Sequence, residues 1–457
     1  MLLYGPGGIV FGRHLIHDSK TLFSRERLTM TTTVSVAPSA RRLTRSLRDI
    51  GYSFESAIAD LVDNSIAAGA TKIKISIIFD GKSSSISLID NGKGMDAIEI
   101  DEAMRFGSRR SYRNGDLGRY GLGLKTATLS QAKRLEVISI SKETSIPVAR
   151  TLDLDFINAT DRWEVLDATD EPETAPLLEL LPEAHGTVIV WKKLDRLLPI
   201  KSPEGGWARR RIEGLADKLT AHLSMVFHRF LEGVDGHKIT IEINDDEVEP
   251  WDPFVRSEPE TQDLGVDEFE IEQDGQNGKV RLHRFLLPSK DEFSSLDAFN
   301  AASGPERWNK QQGIYIYRAN RLVQWGGWAG IRTIDEHLKL ARCVLEFGTD
   351  LDEAFNINVA KMRVSLPAQL KKMMTRPIEE LCIEANAAYR RSARRAAVSE
   401  ETEQTKESTS MGSSESGATI GLAIKTAAAR TGNYEALKAI SKLLREEMPE
   451  VAEHLGL

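Results

Sequence analysis

A carboxylate and a carboxamide four residues apart carry the first chemical signal of this chain, in the run Asp60-Leu61-Val62-Asp63-Asn64-Ser65. Apolar residues at Ala57, Ile58, Leu61, Val62 and Ile66 give the segment from Phe54 to Ala67 helical spacing. On a helix, Asp60 and Asn64 stand one turn above each other on a single face. There the amide oxygen of Asn64 can ligate Mg2+, and Asp60 can orient and deprotonate a water attacking a terminal phosphate. Taken alone, the pair reads more readily as a polar helix face bonded into a loop.

Two further segments narrow the choice. Lys72 to Phe79 is partly alternating and β-branched, as a strand is, and Ser85 to Ile89 runs back as a second strand ending at Asp90. A carboxylate at a strand end, followed by Gly92, Gly94 and Met95, lets the backbone approach a flat ligand. Asp90 can accept from an exocyclic amine such as that of adenine; alone, this run is only a tight turn. The third segment is Gly118-Arg119-Tyr120-Gly121-Leu122-Gly123-Leu124-Lys125-Thr126, a glycine-rich turn opening an apolar helical stretch. Such a turn is an anion site, because free N–H groups and the helix dipole face the ligand, and Lys125 and Thr126 can add a charge and a hydroxyl. It is not a Walker A loop, since Gly-x-x-x-x-Gly-Lys-Ser/Thr is absent there. The Arg-rich stretch before it, Arg105 to Asp116, reads as a flap rather than a Rossmann strand. In this order the three segments read as an ATP site, and as one that hydrolyses ATP.

With these residues the chain resembles the GHKL ATPases, the superfamily of gyrase, ninety-kilodalton heat-shock chaperones, histidine kinases and MutL. Phe54 to Ala70 is similar to its N-box, Ile89 to Met95 to its adenine box, and Gly118 to Ala132 to its glycine-rich lid box. His185-Gly186-Thr187-Val188-Ile189-Val190 resembles the later Gly-Thr strand, which implies that Thr187 sits near the adenine. The lid segment is most similar to that of the MORC ATPases. The resemblance implies an α+β chain: a GHKL ATP-binding sandwich, with a mixed sheet covered by helices, then a smaller transducer-like domain and a helical tail. Two positions depart from the family pattern. Asp60 stands where a Glu base is usual and is one methylene shorter, and Ala67 stands where Asp is common. Both bear on the rate of hydrolysis more than on ATP binding.

The expected divisions are 1–35 as a disordered stretch or a start upstream of the true one, 36–195 as the ATP-binding domain and 196–370 as the transducer-like domain. A helix over 371–397, a flexible linker over 398–417 and a helical tail over 418–457 follow. Met30 followed by three threonines is the expected start. Within the second domain, Trp207 to Leu231 has a helical stripe, Ile239 to Ile243 alternates as a strand, and Asn244-Asp245-Asp246 turns it. Lys279 to Leu287, Gly313 to Arg318, Val344 to Phe347 and Asn356 to Val359 are the other strands, with a hairpin turn after Arg318. Asn356 to Val364 is similar to the MutL loop whose lysine reaches the γ-phosphate, which makes Lys361 the expected phosphate sensor. The loop Gln324-Trp325-Gly326-Gly327-Trp328-Ala329-Gly330 could stack on bases or simply pack onto its own domain. His185, His228 and His337 show no metal or catalytic spacing.

Composition excludes several classes. Two cysteines, Cys343 and Cys382, make neither a zinc spacing nor a disulfide framework and fit a reducing cytoplasm. No apolar run approaches the ~20 residues needed to cross a bilayer. A net charge of −8 gives no global pull toward nucleic acid. Local arginine clusters at 41–48, 105–113, 209–211 and 390–395 could track phosphates or serve as solvated helix faces. By resemblance the expected activity is an Mg2+-dependent ATPase that closes as a homodimer on ATP and clamps double-stranded DNA, with other proteins of one pathway as expected partners. The alternatives are a chaperone-like ATPase with protein clients, and a nucleotide-gated scaffold that hydrolyses little. A histidine kinase is disfavoured by the absence of a phosphoacceptor histidine with its acidic neighbour before the N-box.

Overall fold

The computed structural model describes residues 38–49, 51–107, 123–181, 183–199, 201–273, 276–357, 364–410 and 417–455. The expected non-native start, most of the lid segment (108–122) and the stretch bearing Lys361 (358–363) lie outside them. In chain order the first half contains α1 (Ala40–Arg48), α2 (Phe54–Ala67), β1 (Lys72–Ile78), β2 (Ser85–Asp90), α3 (Ala97–Met104) and α4 (Gly123–Gln131). Then come β3 (Arg134–Ile140), β4 (Pro147–Asp153), α5 (Leu154–Thr160), β5 (Leu166–Asp167), α6 (Thr174–Leu178) and β6 (Gly186–Lys192). They are followed by α7 (Gly206–Val226), α8 (His228–Glu232), β7 (Thr240–Ile243) and β8 (Asp246–Glu247).

These strands form one eight-stranded sheet in the order β5-β4-β3-β6-β2-β1-β7-β8. Its pairs are antiparallel except β1 with β7, which run parallel. Ile73, Ile75 and Ile77 alternate inward along β1 and meet the buried face of α2 (Ala57, Ile58, Leu61 and Val62). α2 starts where Ser53 takes extended backbone and its hydroxyl accepts from Ser56 N at 3.2 Å. The stripe Ile212, Leu215, Leu219, Leu223 and Val226 of α7 is buried in the same core.

That last contact corrects the expected boundary near 195. α7 provides the crossover that a parallel β1–β7 pair requires, so the first layer continues to Val248. The local alternation of Ile239 to Ile243 identifies a strand but carries no information on which sheet it joins. Asn244 and Asp245 turn it with positive φ, as expected.

The second sheet is built from β9 (Gln262–Gln273), β10 (Gln276–Leu286), β11 (Gly313–Arg318), β12 (Arg321–Gln324) and β13 (Ala341–Phe347), in the order β12-β11-β13-β10-β9. Helices α9 (Leu296–Ala302) and α10 (Arg307–Gln311) lie in its long connection. α11 (Ala368–Ser410) packs Leu370, Met374, Ile378, Leu381 and Ala385 into the second core. α11 continues to Ser410, well into the segment expected as a linker. The tail comprises α12 (Gly417–Arg430), α13 (Tyr434–Glu447) and α14 (Pro449–His454). Asn356 and Ile357 lie in a turn and coil rather than in the expected strand, and the rest of that motif is outside the described residues. The tryptophan loop packs inward: Trp328 is buried with Nε1 donating to Gln312 Oε1 at 3.2 Å, and Trp325 lies against both cores.

The β11–β12 hairpin turns through Ala319 and Asn320, both at positive φ. Arg318 and Arg321 face each other across it but point to different partners. Arg318 makes a two-pronged pair with Asp352, at 2.6 and 2.7 Å, inside the second unit of structure. Both members are nearly sealed from water. Arg318→Ala leaves the Asp352 carboxylate buried without its cation, an expected loss of about 3–5 kcal/mol of stability, read by urea denaturation. An unchanged urea midpoint would show that water reaches Asp352.

Candidate nucleotide site

The functional face of α2 begins at Asp60, which is 2% exposed. Its Oδ2 accepts from the Tyr52 hydroxyl at 3.0 Å. Burial and the neighbouring carboxylate hold Tyr52 far above the usual phenol range, so it remains a neutral donor. Tyr52 also hydrogen-bonds Thr126 on the first turn of α4. A Cβ built on Gly123, the first residue of α4, would lie 3.6 Å from Asp60 Oδ2. The backbone opening α4 therefore abuts the carboxylate.

Asn64, one turn beyond Asp60, is exposed. Its amide oxygen and the Asp60 carboxylate are hard oxygen donors, a set that suits Mg2+, which takes few protein ligands and retains waters. Asn64 is thus the residue that would hold the ion, and the ion would screen phosphate charge beside α4. Between them, Asp63 points away from this face and pairs with Arg321 Nε at 2.8 Å, fully inside the protein.

Asp90 closes the other end, at the last position of β2. Ser65 donates to its Oδ2 at 2.8 Å and the Gly92 N–H to its Oδ1 at 2.9 Å. Burial raises the Asp90 pKa above the ordinary carboxylate value, while the bonds from Ser65, Gly92 and Thr187 pull the other way. Thr187 lies opposite Asp90 in the β2–β6 register. Ser139 on β3 joins the pieces. Its oxygen is 3.0 Å from Thr187 Oγ1, donates to Gly186 O at 2.8 Å and accepts from Met95 N at 2.9 Å. Gly94 needs to be glycine, because at φ +69° a Cβ would come 1.9 Å from Ile140 O.

Ser65, Ser139, His185 and Asn91 are site residues that the motifs did not single out. His185 Nδ1 is 2.8 Å from Gly92 O, and Asn91 Oδ1 accepts from the Thr71 and Lys72 N–H groups at 2.9 Å each. Ser65 sits within the N-box-like run and was legible there. Ser139 lies mid-strand with partners far along the chain, and nothing local marks it.

Of the lid residues, Gly118, Tyr120, Gly121 and Leu122 lie outside the described residues. Leu124 packs against the first core. Lys125 is 1% exposed, and its ammonium donates to Ala103 O of α3 at 2.8 Å. The charge expected at a phosphate is thus engaged with α3. A different cluster, His228, Glu232 and Asp252, brings metal-ligating groups together. Arg256 bridges both carboxylates at 2.8 Å, and His228 Nε2 sits 2.7 Å from the Tyr317 hydroxyl, so the cluster is already compensated.

Burial lowers the Lys125 pKa to about 8. The unfolded chain therefore binds the Lys125 proton more tightly, and stability gained from losing it grows as pH rises from about 8 toward the ordinary lysine value near 10.4. Comparing wild type with Lys125→Met by urea denaturation, the wild type is expected to gain on the variant over that interval. A constant difference between them would overturn this assignment.

Residues 52–187 match the family described as histidine kinase-, DNA gyrase B- and HSP90-like ATPase. Three Arabidopsis thaliana proteins are similar over part of the same chain. Protein MICRORCHIDIA 3 is 32% identical over 136 residues, covering 26% of this chain and 23% of that relative. Protein MICRORCHIDIA 2 is 32% identical over 131 residues, covering 27% of this chain and 20% of the relative. Protein MICRORCHIDIA 1 is 41% identical over 78 residues, covering 16% and 12% respectively. The matches thus span less than a quarter of each relative's length. The matched segment holds α2, Asp90, α4 and Thr187, the same elements that build the site. Residues 52–187 therefore form a segment like the ATPase domain of the histidine kinase, gyrase B and HSP90 type, and the chain is similar in part to the MICRORCHIDIA proteins.

Proposed function

We propose that this chain hydrolyses ATP with Mg2+ and uses the nucleotide to close two copies of itself around double-stranded DNA. The observation that carries the reading is the face of α2, where the Asp60 carboxylate lies against the opening backbone of α4 and Asn64 stands free one turn away. Asp90 and Thr187 read the adenine edge. Asn64 holds Mg2+, and the N–H groups at the start of α4 receive the phosphates. Asp60 orients and deprotonates the attacking water, and Lys361 meets the charge that develops on the terminal phosphate. Closure of the lid would order the site, and loss of the terminal phosphate would release it.

The DNA part rests on the likeness of the lid segment to MORC ATPases. The run Arg209, Arg210 and Arg211, exposed at the start of α7, supports it as a place where phosphates can be tracked. Two buried, free cysteines fit a reducing cytoplasm.

A second reading, a nucleotide-gated scaffold with little turnover, is favoured by one contact. Tyr52 holds the buried Asp60 from within, and Asp is a methylene short of the usual reach. In that reading ATP binds and closes the chain, but water is poorly activated.

Mg2+-dependent phosphate release, measured with and without duplex DNA, separates these readings. Turnover is expected to rise with DNA and to fall by roughly 100-fold or more in Asp60→Asn, the scale of a lost general base. Turnover indifferent to DNA points instead to a protein client, in keeping with the acidic net charge. A companion measurement uses Asp60→Glu. If the scaffold reading holds, the longer carboxylate raises a near-zero wild-type rate sharply. If wild type is already an efficient ATPase, the same substitution leaves the rate level or lowers it.

A further inference from the structure

Among the described residues, a buried ion pair between Arg321 and Asp63 links the hairpin of β11 and β12 to the nucleotide helix. We propose that Arg321 is a positioning residue, which ties α2 to the second sheet so that ATP bound on α2 is felt in β11 and β12. The inference rests on the ATP-binding reading above and adds the route by which the site speaks to the rest of the chain.

Four observations carry it. Asp63 lies on the turn of α2 between Asp60 and Asn64, so any shift of the metal-bearing face moves Asp63 with it. Arg321 Nε meets Asp63 Oδ1 at 2.8 Å, with both side chains almost wholly enclosed. In such surroundings water cannot substitute for either partner when they separate. Arg321 is further confined by the Phe227 ring, 5.6 Å from its guanidinium carbon, and by a neutral His222, whose pKa is pushed down to about 4 by burial and by Arg321 itself. At its far end, β12 presents Gln324, whose Oε1 accepts from Val364 N at 3.1 Å. One short strand therefore contacts the nucleotide helix at its start and the segment leading into α11 at its end.

The neighbouring Arg318 provides an internal comparison. It is equally buried and lies on the same hairpin, but its partner Asp352 belongs to the second sheet's own surroundings. Arg318 stabilises the hairpin, whereas Arg321 connects it to α2.

The test is hydrogen exchange of the full chain over residues 313–324, with and without ATP and Mg2+, alongside ATP titration. Wild type is expected to bind ATP and to slow exchange in this hairpin. Arg321→Met is expected to keep ATP binding and lose that slowing. Because it leaves Asp63 buried and charged, Asp63→Leu/Arg321→Met is the second variant: an apolar pair of similar bulk restores packing without the charges. It should fold as wild type does, bind ATP, and still show no slowing at 313–324. Arg318→Met should be less stable yet keep the ATP-dependent slowing. Persistence of the slowing in the apolar pair, or its loss in Arg318→Met, would overturn the inference and leave ATP binding intact. Wild type that binds ATP without any slowing at 313–324 overturns the inference alone. Wild type that binds no ATP removes the functional reading and the inference together.

Discussion

Two carboxylates buried one turn apart on a single helix set the terms for this structure. Asp60 and Asp63 both lie inside the protein on α2, and a buried charge is tolerated only where it is paired or hydrogen-bonded. Each has been given a different kind of partner. Asp60 takes the Tyr52 hydroxyl and lies beside the opening backbone of α4. Asp63 takes the guanidinium of Arg321, brought from far along the chain. The two adjacent turns thus differ: one carboxylate lies against the opening of α4 and the other ties α2 to a distant hairpin.

The Asp90 end of the site is built on another principle. Asp90 is fixed by groups whose positions the sheet already determines: the Gly92 and Thr187 N–H groups and the Ser65 hydroxyl. Ser139 then ties the adjacent strand to the loop after Asp90 through Met95 N. A carboxylate held from three sides presents its remaining acceptor capacity in one direction, which is the requirement for reading an exocyclic amine. Strands supply that end of the site, while the start of α4 lies beside Asp60 at the other.

The second sheet shows the same economy with cations. The β11–β12 hairpin carries two arginines in register, and each finds a carboxylate in a different part of the chain. A two-residue turn with positive φ at both positions holds them at fixed separation. The hairpin thus has one cation in its own sheet's surroundings and one on the nucleotide helix, and the two sheets are joined by polar contacts as well as by Trp325, which packs on both cores.

The sequence alone determined the elements that repeat locally. The spacing of Ala57, Ile58, Leu61 and Val62 specified α2, the alternation around Ile73 to Ile77 specified β1, and the glycine-rich run predicted a helix opening at Gly123. Asp60, Asn64 and Asp90 could be named because each sits in a short run with its own logic, whereas Thr187 was named through the resemblance to the GHKL Gly-Thr strand. β9 was not singled out: Phe269 and Ile271 alternate with Glu268, Glu270 and Glu272, but the acidic pair Asp267-Glu268 breaks the pattern on this edge strand. The tertiary structure alone decided that β7 pairs with β1, that Lys125 turns to Ala103 O, that Ser139 joins three parts of the site and that Arg321 neutralises Asp63. Periodicity reports which face of an element is buried, because that depends on near neighbours. Which distant group arrives to compensate a buried charge depends on how the chain closes in space, and no local pattern records it.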